Sequence, residues 1–84
     1  MIGKFRSKID KIDERILKLL AERFENVIKI GEIKRGKGLK IQNKKREDEI
    51  IRKVRKLSSR FALNERFVSD FYELIIDESR KLQG

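Results

Sequence analysis

This 84-residue sequence predicts an all-α fold of three helices, the first of them long. Three observations predict it. Apolar residues recur every three or four positions along most of the chain. No proline occurs to interrupt a helix. The pattern breaks only twice, at RGKG with the following LKIQN (35–43) and at FALN (61–64), both with glycine or asparagine to end or start a helix. No repeat, low-complexity run or linker divides the chain, so residues 1–84 read as one domain.

The first helix is predicted from about Lys4 to Arg35. Ile9, Ile12, Ile16, Leu19, Val27 and Ile30 form its apolar stripe. At about 45 Å it is longer than so small a domain can cover, which predicts packing against a second copy. Glycine suits the cap at its end. Asn43 is a candidate N-cap for a second helix over about 44–60, with Ile50, Val54, Leu57 and Phe61 on one face. Asn64 caps a third helix in the same way. Phe67, Val68, Phe71, Leu74 and Ile75 are expected as its core stripe, with Tyr72, Ile76, Ser79 and Gln83 beside it at spacings of 4, 3 and 4.

Charged residues are 44% of the chain, and 23 Lys and Arg against 14 Asp and Glu give a formal charge of +9. The excess is spread over both halves and favours an anionic partner. With no Cys or His, disulfides, thiol chemistry, a histidine base and the common zinc sites are excluded. No clustered carboxylate set suggests another metal, and no cofactor is expected. MIGKFRSKID lacks the apolar core of a signal peptide and no run is long enough to span a bilayer, so a cytoplasmic protein is expected.

Two residues disturb the first stripe. Arg23 lies on it, and Lys34 falls about 20° from Arg23 around the helix. A lone cation in such a stripe is most simply an amphipathic side chain with its head in water. Two cations flanked by apolar residues shift the balance towards a site, because a buried charge needs an anion. Glu47 could serve one of them, and a ligand carboxylate or phosphate the other. Lys44, Lys45 and Arg46 crowd the start of the second helix, the wrong sign for its dipole. That is either a solvated face or a place for an anion, with Arg46 nearest the apolar face. Ser79 and Gln83 are ordinary boundary residues taken singly; together, one turn apart beside core positions, they could line a pocket. Arg6 lies about 100° off the stripe and cannot readily serve the same pocket, though it could reach a neighbouring chain's.

These residues carry a resemblance. FRSKIDKIDERILKLLAERFENVIKIGEIK resembles the first helix of the all-helical chorismate mutases: an arginine before Ile-Asp-x-Ile-Asp, then Leu-Leu-x-x-Arg, then a lysine eleven residues on. GLKIQNKKRE is similar to their loop and Arg-Glu pair, and LIIDESRKLQ to the Ile-Ile-x-x-Ser-x-x-x-Gln of their third helix. The match covers nearly the whole chain, as a small stand-alone domain.

The resemblance implies an intertwined homodimer of three-helix chains that converts chorismate to prephenate in phenylalanine and tyrosine biosynthesis. It implies that Arg23 and Arg46 bind the substrate's carboxylates, with Ser79 assisting one. Lys34 and Gln83 would donate to the ether oxygen, Glu47 would accept from the ring hydroxyl, and Ile30 and Ile76 would be apolar walls. Arg6 would be donated across the dimer. A pericyclic shift needs no nucleophile, base or metal, and an amide donor at Gln83 implies activity that stays flat with pH across neutrality. Three departures stand out. The loop lacks the family's usual prolines near Lys40 and Lys44. Asn43 stands where an aspartate is often found, though it can still bond a hydroxyl. Gln83 is the penultimate residue, where helices fray, so it is expected to order only with ligand.

An isochorismate-pyruvate lyase on the same scaffold is the nearest alternative, since its substrate is also a dicarboxylate with an enolpyruvyl ether. A basic helical nucleic-acid binder fits the net charge. Against it, the distinctive cations lie on an apolar stripe and no aromatic cluster offers base stacking. A purely structural helical dimer is the third reading. The expected partners are therefore chorismate and a second copy of the chain, not nucleic acid or membrane.

Overall fold

The structure, a computed structural model, describes residues 1–84. It holds three helices and no strand: α1 (Ile2–Gly36), α2 (Lys44–Arg60) and α3 (Glu65–Gln83). No helix is long and apolar enough to cross a membrane.

The helix ends follow from local chemistry. Past α1 the Lys37 N–H bonds the Ile33 carbonyl at 3.1 Å and the Leu39 N–H bonds that of Lys34 at 2.8 Å. Gly38 supplies the left-handed backbone this closure needs, at φ +68°. Asn43 Oδ1 accepts from the Arg46 N–H at 3.1 Å and starts α2; Asn64 Oδ1 accepts from the Phe67 N–H at 2.8 Å and starts α3. Between those two helices the left-handed position falls on Ala62, at φ +55°.

α3 packs against both α1 and α2, which do not pack directly on each other. The buried apolar core is correspondingly small: Val27 of α1, Val54 of α2, and Ile75 and Ile76 of α3. Two serines are buried along with it. Ser58, 1% exposed, donates to the Val54 carbonyl at 2.7 Å, and Ser69 accepts from Arg55 Nε at 3.3 Å.

Two expectations about the core change. Phe61 is not on a buried face of α2 but caps its end, exposed. On α3 the stripe taken as core is largely uncovered, with Phe67 67% and Leu74 69% exposed. The buried face is instead Ser69, Tyr72, Ile76 and Gln83, with Ile75 at its side. The Phe67–Phe71–Leu74 stripe points about 150° away from that face, and one chain has no fourth element to cover it.

The same shortage of cover runs along α1. Residues 1–19 are exposed throughout, including Phe5, Ile9, Ile12 and Ile16. The molecule measures 56 × 23 × 16 Å. Its accessible surface is 7280 Å², about 2,000 Å² more than a compact chain of its mass exposes.

Candidate active site

Where the second half of α1, the loop 37–43, the start of α2 and the end of α3 meet, they line a half-open cavity of about 140 Å³. Of the ten residues singled out from the sequence, nine line it: Arg23, Ile30, Lys34, Asn43, Arg46, Glu47, Ile76, Ser79 and Gln83. Arg6 does not. It lies 17 residues before Arg23 on the same helix, about 25 Å along its axis.

The α1 cations are held without an anion, contrary to the expectation that Glu47 pairs with one of them. Arg23 Nη1 donates to Ser79 Oγ at 3.0 Å, and its guanidinium sits 5.9 Å from the centre of the Tyr72 ring. Ser79 in turn donates its one proton to the Ile75 carbonyl at 2.7 Å, so it meets Arg23 as an acceptor. Lys34 Nζ donates to the Ile41 carbonyl at 2.8 Å. That bond folds the loop back beneath α1 and leaves two of the ammonium's three donors without a protein partner. Arg46 makes only a 3.6 Å pair with Glu49 at the surface, weak enough to give up for a ligand.

Glu47 pairs instead with Arg80, a residue the sequence reading passed over. Arg80 Nε lies 3.1 Å from Glu47 Oε2, and Nη2 lies 2.9 Å from Asp77 Oδ1. Arg80 follows Ile76 by four residues and precedes Gln83 by three, so helical spacing alone could have placed it on this face. Ile41 and Ile50 also line the cavity. Four cations and one carboxylate therefore surround a partly apolar hollow, a field that concentrates anions.

Gln83 is not frayed. It is 8% exposed, and its Nε2 donates to the Val27 carbonyl at 3.3 Å. Beyond the Glu47–Arg80 pair lies a larger hollow of about 450 Å³ between α2 and α3, lined chiefly by Lys44, Asp48, Arg52, Glu73 and Asp77. Its lining is mostly charged side chains of both signs, with Ile51 and Ile76 the apolar ones, as in a solvated groove. No three side chains of His, Cys, Asp or Glu come together to ligate a metal.

Comparison with known proteins bears directly on this arrangement. Residues 5–84 match the family model described as chorismate mutase type II. The chain belongs to the type II chorismate mutase family. It is 34% identical over 82 residues to a chorismate mutase of Methanocaldococcus jannaschii, covering 98% of this chain and 83% of that one. It is 36% identical over 75 residues to a bifunctional chorismate mutase/prephenate dehydratase of Buchnera aphidicola, covering 89% of this chain but 20% of that one. A bifunctional protein of the same description from Aquifex aeolicus is 46% identical over 57 residues, 68% of this chain and 16% of its own length. The type II chorismate mutase match thus takes in every residue of the cavity, while the bifunctional relatives extend well beyond it.

Proposed function

We propose that this chain converts chorismate to prephenate in the cavity between its helices, a step towards phenylalanine and tyrosine. One observation carries the reading. In a member of this family, Arg23 and Lys34 converge with Arg46, Glu47 and a buried amide on one hollow, and neither α1 cation has an anionic partner. A dicarboxylate is the missing counter-charge.

The reaction breaks a C–O bond and forms a C–C bond within one molecule. No proton changes hands, so the protein's work is to hold and to stabilise. Arg23 and Arg46 grip the two carboxylates and select the compact, chair-like conformer; a guanidinium matches a carboxylate in two parallel hydrogen bonds. Ser79 assists by fixing Arg23. Negative charge grows on the ether oxygen as the bond stretches, and Lys34 and the Gln83 amide are the donors for it. Because that charge is larger in the transition state than in the substrate, their help falls on the rate. Glu47, steadied by Arg80, accepts from the ring hydroxyl, with Asn43 beside it. Ile30 and Ile76 press on the ring.

The reading takes residues 1–84 as one catalytic domain that works as a homodimer. About 2,000 Å² of excess surface per chain is what an obligate dimer buries. The uncovered stripes of α1 and of Phe67, Phe71 and Leu74 are its natural interface. Arg6, on the projecting half of α1, then reaches the partner's cavity as a third grip on the carboxylates.

The test is direct. Chorismate consumption is followed by ultraviolet absorbance, prephenate is confirmed by acid conversion to phenylpyruvate, and sedimentation gives the assembly. Catalysed prephenate formation by a dimer is expected. A folded chain that leaves chorismate untouched defeats the reading, and isochorismate is then the next substrate to supply.

A further inference from the structure

The proposed chemistry asks for a precise amide from the last residue of α3, and helix ends ordinarily loosen. The last carbonyls of a helix have no partner within it, and the negative end of its dipole lies there. The last turn of α3 nevertheless buries Gln83. Three features of α1 account for this. Arg35 Nη1 donates to the Gln83 carbonyl, a charge-assisted bond to one of those orphan groups. Gly31 leaves the space into which Gln83 settles: a Cβ there would stand 2.9 Å from Gln83 Cα and 3.1 Å from its Cβ and Cγ. The Val27 carbonyl takes one N–H of the Gln83 amide.

That last bond also sets which way the amide faces. A carbonyl only accepts, so the nitrogen and not the oxygen of the side chain must meet Val27. The amide's second N–H has no protein partner, and both residues line the cavity.

We infer that Arg35 and Gly31 are positioning residues that clamp the end of α3 onto α1 and aim the free Gln83 N–H at the reacting oxygen. Neither lines the cavity, so neither touches substrate. Lys34 projects from the same turn of α1. Both donors proposed for the ether oxygen are thus referenced to residues 31–35, which keeps their separation constant. The inference rests on the chorismate mutase reading for its catalytic consequence, and on contacts within the chain for the clamp itself.

The experiment compares Arg35→Ala, Arg35→Lys, Gly31→Ala, Gln83→Ala and the Arg35→Ala/Gln83→Ala pair with the wild type. Two readouts are used: steady-state chorismate kinetics, and the 1H–15N NOE of the Gln83 backbone and side-chain amides. Arg35→Ala is expected to lower kcat roughly tenfold or more, with KM changed less than about twofold. The Gln83 amides should lose order, and Arg35→Lys should restore part of both. Gly31→Ala favours the α1 helix intrinsically, so it should displace Gln83 and lower kcat while helical content is kept. In the Gln83→Ala background, removing Arg35 should cost no further activity. The clamp is overturned if Arg35→Ala leaves the Gln83 amides ordered and kcat unchanged, or if its loss adds fully to that of Gln83→Ala. Should the wild type fail to turn over chorismate, the functional reading falls, and the amide NOE alone decides the clamp.

Discussion

Arg80 and Glu47 form the one ion pair that joins α2 to α3 at the cavity wall, with Nε 3.1 Å from Oε2. The carboxylate is the more buried partner, 15% exposed against 40% for the arginine side chain. Removing Arg80 therefore leaves a mostly covered carboxylate without its cation, beside the place proposed for the ring hydroxyl. The remaining exposure of Arg80 keeps the stability cost of Arg80→Ala to about 1 kcal/mol. Its larger effect is expected in kcat/KM, down roughly tenfold through a misplaced Glu47. A double-mutant cycle with Glu47→Gln checks this: each single change should hurt, and the pair should cost little more than Glu47→Gln alone. Fully additive losses would show that Arg80 does not act through Glu47.

Arg23 offers the opposite balance of stability and function. Its one hydrogen bond is to a hydroxyl, it lies over an aromatic ring, and it shares the cavity with three other cations. Arg23→Ala relieves crowding of positive charge while removing a carboxylate grip. Thermal stability should stay level or rise, while kcat/KM falls by about a hundredfold or more. Circular dichroism melts beside kinetics test both halves. The wild type, and not the variant, should gain stability from a saturating dicarboxylate transition-state mimic, by about 2.7 kcal/mol at a hundred times its Kd. Loss of fold in Arg23→Ala would make this residue structural.

The helical pattern in the sequence made much of this legible. Arg23 and Lys34 stood out because they broke an apolar stripe, and Asn43 and Asn64 because capping is local chemistry. What stayed hidden depended on partners distant in sequence. Arg80 gains its meaning from Glu47, 33 residues earlier on another helix, and Arg35 from the end of α3. Phe67, Phe71 and Leu74 read as core because periodicity reports which side chains avoid water, not whether the same chain covers them. The expected fraying of Gln83 failed for a related reason: Gly31 matters only through what approaches it.

Ala62 is the one non-glycine residue in the left-handed region, at φ +55°. It follows α2, where the Leu63 N–H bonds the Ser58 carbonyl at 2.8 Å and closes the turn. An alanine there holds strain of about 1 kcal/mol that glycine lacks. Ala62→Gly should stabilise the fold by about 0.5 kcal/mol, the gain being reduced by glycine's greater freedom when unfolded. Urea denaturation should show a higher midpoint with an unchanged slope. Activity should not move, since Ala62 is absent from the cavity lining. A lower midpoint would mean that the turn does not need its left-handed residue.

The proposed dimer makes a prediction that no single-chain site can satisfy. Arg6→Ala spoils the residue donated to the partner, and Arg23→Ala spoils the residue kept at home, so each variant alone should be nearly inactive. Mixed and refolded together, a heterodimer has one cavity that receives Arg6 from the Arg23→Ala chain and uses Arg23 of the Arg6→Ala chain. Its other cavity lacks both. Random pairing of equal amounts makes half the dimers mixed, each with one working site, so about a quarter of wild-type activity should return. If Arg6 instead served its own chain, mixing would restore nothing, because no chain would carry both arginines. The distance along α1 argues for exchange: about 25 Å of rigid helix separates Arg6 from Arg23, so one chain cannot bring both to the same cavity.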